Sequence, residues 1–225
     1  WSSDVCSSDL IRHVSLIGQV TDAQSRFNLN SLIDASGQIN PNALSIFQRL
    51  LENTGVDRSL GQQIASYLNK TGFIFQDVND LRNFPGINDT TLKRIKSSII
   101  ALPEPTLINV NTAPAEVLQA LYSGMTASQA NSFVSARVQT PLKSNAEANN
   151  LLTRLGVTQS GSNGFMDIKS SYFIARTEVR FGESVYVGQS LIRRAAQGTS
   201  NAGAVTTSAE LTRIISNRFY STLKE

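Results

Sequence analysis

Cysteine, histidine and tryptophan each occur once in this 225-residue chain, as Cys6, His13 and Trp1. A single cysteine excludes an intrachain disulfide framework, and Cys6 has no nearby His or Lys to stabilise a thiolate. His13 stands alone in a strand-like segment, so no local partner gives it a metal or acid–base role, and it reads as a partly exposed strand residue. No stretch approaches the roughly 20 apolar residues of a membrane span. Phosphate-loop patterns are absent, and Gly188-Gln189-Ser190-Leu191-Ile192 lacks the final glycine of a nucleophile elbow. Asp-x-Asp spacing is absent too. Asp77 and Asp80 are three apart at a helix start, where acidic residues are expected from the helix dipole. These absences argue against an enzyme, and we assign no catalytic, cofactor or metal residue and no small-molecule substrate.

The opening WSSDVCSSDL holds the Trp and the Cys but has no fold pattern. Its serines and aspartates favour turns, and it lacks the basic and apolar regions of a targeting peptide. The codons TGG AGT TCA GAC GTG TGC TCT TCC GAT CTN spell these residues and match a common sequencing-library adapter read in frame. Residues 1–10 are therefore read as an assembly artefact, with the natural start, and any anchor it carried, expected to be lost. Without Asp4 and Asp9 the 17 acidic residues fall to 15 against 20 Lys and Arg, a formal charge of +5. That is mildly basic and less concentrated than a nucleic-acid binder usually shows.

Three blocks follow. Residues 11–36 read as extended structure, with Val14, Leu16, Gly18 and Val20 alternating with more polar neighbours. Residues 40–156 read as helices with short connectors. Asn40-Pro41 opens the first, with Leu44, Phe47 and Leu51 on one face and Gly55 closing it. The second follows Asp57 with Leu60, Ile64 and Leu68 and ends near Gly72. Thr126-x-x-Gln129 and Ser144-x-x-Glu147 are capping boxes opening helices that run to about Arg137 and Gly156. Residues 166–225 return to the strand period. Phe173, Ala175, Thr177, Val179 and Phe181 form one face of a hairpin strand, Gly182-Glu183-Ser184 turns, and Val185, Val187, Gln189 and Leu191 return. The stretch QGTSNAGAVTTSA (197–209) reads as a loop, and ELTRIISNRFYST as a strand or a short helix. A lone strand cannot bury a face alone, so the first block is expected to join the C-terminal hairpin. The expected fold is α+β: a discontinuous antiparallel-sheet domain (11–39 and 166–225) interrupted by an all-α domain (40–165).

The helical block contains a repeated unit, DVNDLRNFPGINDTTLKRIKSSI (77–99) and NVNTAPAEVLQALYSGMTASQANSFVSAR (109–137). Each reads as helix, glycine turn, capping residue (Asp89; Thr126) and helix, resembling the helix-hairpin-helix motif. DNA-binding members of that motif cradle a phosphate with hairpin N–H groups at a helix N-terminus. That reading would use Gly86, Lys93, Arg94 and Gly124. The alternative is a packing unit, which is favoured because Asn88 and Thr126 stand where DNA-binding hairpins carry a second glycine.

Three stretches carry a family resemblance: RFNLNSLID (26–34), ALPEPTLINVNTAPAEVLQAL (101–121) and SSYFIARTEVRFGESVYVGQSLIRR (170–194). In this order they resemble the K minor pseudopilins of bacterial type II secretion systems. The resemblance implies a pseudopilin α/β domain with a helical insertion, hung from an N-terminal inner-membrane helix and facing the periplasm. It implies a non-enzymatic tip subunit partnered by the I and J minor pseudopilins and other pseudopilus subunits, acting in protein export. Members of the family often carry a Trp-x-Asp-x-Asp stretch and an acidic, glycine-containing segment after the second insertion helix, and the family is associated with calcium. Here that place reads SYLNKTGFIFQDV (66–78), with Tyr67, Asn69 and Lys70, which gives no reason to expect the ion.

Overall fold

The computed structural model describes residues 14–157, 164–194 and 212–223. Trp1, Cys6, His13, the adapter-like residues 1–10 and the 197–209 loop lie outside them. Along the chain, Val14–Asp22 forms strand β1 and Ala23–Ser25 a 3-10 turn. Phe27–Asn28 (β2) leads into a second 3-10 turn, Leu29–Leu32. Helices Pro41–Asn53 (α1) and Ser59–Thr71 (α2) follow, then the 3-10 helix Val78–Asn83 and helix Asp89–Ile95 (α3). Next come Ile99–Ile100 (β3), Ile108–Asn109 (β4), Ala115–Leu121 (α4), Ala127–Gln139 (α5) and Asn145–Arg154 (α6). Met166–Asp167 (β5), Tyr172–Phe181 (β6), Ser184–Arg194 (β7) and Thr212–Leu223 (β8) complete the order. The β-branched C-terminal segment is thus a strand.

Two compact units divide the chain: residues up to Ala23 with those from Ser171 onward, and Gln24–Ser170 between them. The first unit is an antiparallel sheet of order β1-β6-β7-β8. Its first strand is separated in sequence from the other three by the helical unit, so the architecture is α+β with a helical insertion. The pairing of β1 with β6 supplies the neighbour that a lone strand requires.

The observed boundary differs from a division at residues 39 and 166. Phe27, Leu29 and Leu32 are fully buried in the helical unit's core, and Phe27 stacks on Phe47 at 5.4 Å. Their burial, invisible to a strand-period reading, is why residues 24–39 belong with the helices. That unit also contains two short parallel pairs, β2–β3 and β4–β5, too brief to show a period.

Local chemistry explains the helices. The Asn40 side chain accepts the Asn42 and Ala43 N–H groups ahead of Pro41, and Ala43, Ile46, Phe47, Leu50 and Leu51 bury one face of α1. Leu44 is only partly buried beside that core. Asp57 caps the approach to α2 through Ser59, and Gly72 closes it at φ +67. Thr126 and Gln129 make the full capping box of α5. Ser144 accepts the Glu147 N–H, but the Glu147 carboxylate takes the Lys143 N–H one residue upstream of the cap. Only half of that expected box forms.

Candidate functional site

Most of the distinctive residues of the helical unit hold backbone to backbone. In the FNLNS run, Asn28 accepts the Leu102 N–H through Oδ1 and donates to the Glu104 carbonyl at 2.8 Å. Asn30 accepts the Phe75 N–H and donates to the carbonyls of Phe75 and Leu102. Ser31 and Thr106 exchange two further bonds. These polar groups are buried, so each bond answers a desolvation cost that would otherwise stand uncompensated. A five-residue run thereby pins the segments around 75 and 102–106.

The INVNTAP run forms a second clamp. Asn109 reaches Ser170 Oγ at 2.9 Å. Asn111 donates to the Leu142 and Ile168 carbonyls and accepts the Leu142 N–H. Arg137, buried at the end of α5, donates to the carbonyls of Val110 and Ala113. Burial lowers the affinity of its guanidinium for the proton. Sequence reading gave Arg137 no such role; the only available signal was a long cation beside the apolar face of a helix.

The hairpin units are packing devices. In the first, the leading helix is only the 3-10 turn Val78–Asn83, and the cap of α3 is Asn88, which accepts the Thr91 N–H. Asp89, expected as the cap, is the first helical residue and meets Arg82 at 2.8 Å. Asp77 and Asp80 make a reciprocal capping box, Asp77 accepting the Asn79 N–H and Asp80 those of Gln76 and Asp77. Gly86 takes φ +87 with Leu60 packed against it. Arg94 donates to the Gly55 carbonyl, while Lys93 is exposed. In the second unit Gly124 takes φ +78 in open space, and Met125 N–H is bonded to the Tyr122 carbonyl. The Thr126 and Gln129 N–H groups are satisfied by the capping box. A phosphate at α3 would meet the Asp89 carboxylate, and at α5 it would meet donors already committed. The geometry lends no support to a nucleic-acid site built on Gly86, Lys93, Arg94 and Gly124.

The SYLNKTGFIFQDV segment is held by aromatic contacts. Tyr67 meets Phe84 edge-on at 4.9 Å, Phe73 meets Phe75 at 5.4 Å, and Phe75 lies 5.8 Å from Phe84. Asn69 donates to the Gly37 carbonyl, Lys70 is exposed, and the carboxylates of Asp77 and Asp80 serve as caps. This donor set does not fit calcium, which needs several converging oxygens. Among the described residues no group of three or more His, Cys, Asp or Glu could hold a metal ion.

The sheet presents two different faces. Phe181 pairs with Ser184 across a two-residue turn, Gly182-Glu183, and not across the three residues expected. One residue of difference flips every side chain of the returning strand. The face of Phe173, Thr177, Val179 and Phe181 is therefore shared with Tyr186, Gly188 and Ile192, whereas Val185, Val187, Gln189 and Leu191 lie opposite. Val14, Leu16 and Val20 of β1 and Ile214 and Phe219 of β8 join the first face. Leu16 is 70 % exposed and Phe219 82 %. Between Tyr186 and Phe219 lies a shallow groove of about 370 Å³ floored by Thr177 and Gly188. These large apolar side chains are exposed together on one face of the sheet.

Comparison with known proteins places these features in context. Family models for type II secretion system protein K match residues 25–72 and 108–165, which contain the FNLNS and INVNTAP runs. Type II secretion system protein K of Pseudomonas aeruginosa is 26 % identical over 208 residues, covering 80 % of this chain and 61 % of the relative. That of Klebsiella pneumoniae is 27 % identical over 211 residues, covering 78 % of this chain and 64 % of the relative. The chain thus spans under two thirds of the length of these relatives. A chain in the crystal structure of the GspK-GspI-GspJ complex from enterotoxigenic Escherichia coli is 17 % identical, with TM-score 0.69 over 92 % of this chain and 80 % of that one.

Proposed function

As the chain belongs to the protein K family of type II secretion systems, a family of minor pseudopilins, we propose that it is a non-enzymatic structural subunit at the pseudopilus tip. In this role it assembles with the I and J minor pseudopilins and supports protein export. The observation that carries the reading is the fold likeness, over 92 % of the chain, to a chain of a complex that also contains GspI and GspJ. The physical requirements of such a subunit agree with it. A protein acting by shape needs a rigid body, supplied by the two polar clamps, and a surface for neighbours, supplied by the apolar sheet face.

The proposal places the domain in the periplasm, tethered to the inner membrane by an N-terminal helix of the kind the resemblance implies. No helix among the described residues is long and apolar enough to cross a membrane, so that tether would lie outside them. Sedimentation velocity of this chain mixed with the soluble domains of the I and J pseudopilins of the same genome tests the assignment. A ternary species is expected. Separate sedimentation of folded components at tens of micromolar, where a specific interface of standard size is populated, would contradict it.

A further inference from the structure

The second face of the sheet carries a charge pattern of its own. Arg176, Glu178 and Arg180 of β6 point to the same side as Gln189 and Arg193 of β7 and Arg213 and Arg218 of β8. Among the described residues, five arginines share that face with one glutamate. Arg180, Arg193, Arg213 and Arg218 are exposed. Glu178 is buried between Arg176 Nη2 at 2.9 Å and Arg180 Nε at 2.7 Å. Arg176, Gln189 and Arg218 lie in one row across three strands, and Arg193 stands directly opposite Arg213. Arg193 also lies 5.8 Å from the Tyr172 ring centroid, and Val185, Val187 and Leu191 form an apolar floor between the cations.

The spacing is regular. Arg180, the Arg176/Arg218 row and the Arg193/Arg213 pair are each four residues apart along β6 and its register, about 13 Å at a strand rise of ~3.3 Å. We propose that this arginine face docks an extended, carboxylate-rich polypeptide segment of a partner protein, with acidic side chains meeting these three positions in turn. Guanidinium forks match carboxylates in paired hydrogen bonds, and the cations of the face among the described residues are all arginines. A continuous anionic surface, such as a lipid bilayer, would bring negative charge over the Glu178 position as well as over the arginines around it. A polypeptide can place an uncharged residue there. The proposal does not rest on the tip assignment, because the complementarity lies in the sheet itself.

The test uses the full chain and a fluorescent peptide with Glu at every fourth residue, separated by Ser, Thr and Val, read by anisotropy at low and physiological salt. The variant R193Q/R213Q/R218Q spares the Arg176–Glu178–Arg180 cluster. The control K70Q/K93Q/K96Q removes the same charge from exposed positions of the helical unit. Expected is binding that weakens with salt, falls at least about tenfold in the arginine variant and holds in the control. The charge-preserving R193K/R213K/R218K should bind between the two, which separates loss of the fork geometry from loss of the fold. No binding by the unaltered chain, or equal loss in both glutamine variants, overturns the proposal. So does tighter binding to phosphatidylglycerol vesicles than to the peptide with the same arginine dependence.

Discussion

Asn30 shows how one amide can fix a fold. Its three bonds to the backbone of Phe75 and Leu102 are buried. Replacing it with Ala leaves those three groups unpaired, and we expect a stability loss of at least about 3 kcal/mol in urea unfolding, from roughly 1–3 kcal/mol per orphaned buried group. Arg137→Met strands the Val110 and Ala113 carbonyls and should lose a similar amount, while Lys93→Gln stays within about 0.5 kcal/mol. Glu178 gives a pH signature. Hydrogen bonds from Arg180 and Arg176 hold its carboxyl below the usual value of 4.5. A depressed pKa contributes stability that is complete above 4.5 and is lost as pH falls through the lowered value. Thermal melts should therefore fall more steeply with acid in the unaltered chain than in Glu178→Gln. The sequence marked FNLN and INVNTAP as distinctive but could not show why, because the amides' clamping partners lie 31 to 76 residues away.

At the scale of elements, caps and glycine stops were readable because their partners lie within four residues. The strand period was readable too, yet the hairpin's faces were not. A turn of two residues instead of three reverses β7, and GES contains both possibilities. The hairpin units show the same limit. Their form is visible, but whether the N–H groups are offered to a phosphate or consumed locally depends on geometry. Two glycine substitutions separate these roles. Gly124→Ala pays only for positive φ, about 1 kcal/mol. Gly86→Ala pays that and also drives a methyl to 3.0 Å from Leu60 Cδ2, so it should lose more in the same unfolding assay. A phosphate-binding hairpin would instead show retention on immobilised DNA that Gly86→Ala and Lys93→Gln abolish. We expect any salt-sensitive retention to be the same in the unaltered chain, Gly86→Ala and Lys93→Gln.

For the whole molecule, the division of labour between units explains why composition says so little about activity. One unit is a helical body whose polar motifs are internal, and the other is a sheet with an apolar face and an arginine face. The boundary between them was legible only approximately, since residues 24–39 look extended in sequence and are buried in the helical core. The central proposal is that the sheet is the surface that meets the I and J subunits. Hydrogen–deuterium exchange of the chain, alone and mixed with the soluble I and J domains, tests this directly. The account predicts new protection on β6, β7 and β8, with the hairpins at 84–96 and 122–129 unchanged. New protection confined to those hairpins, with the sheet exchanging as it does alone, would contradict it.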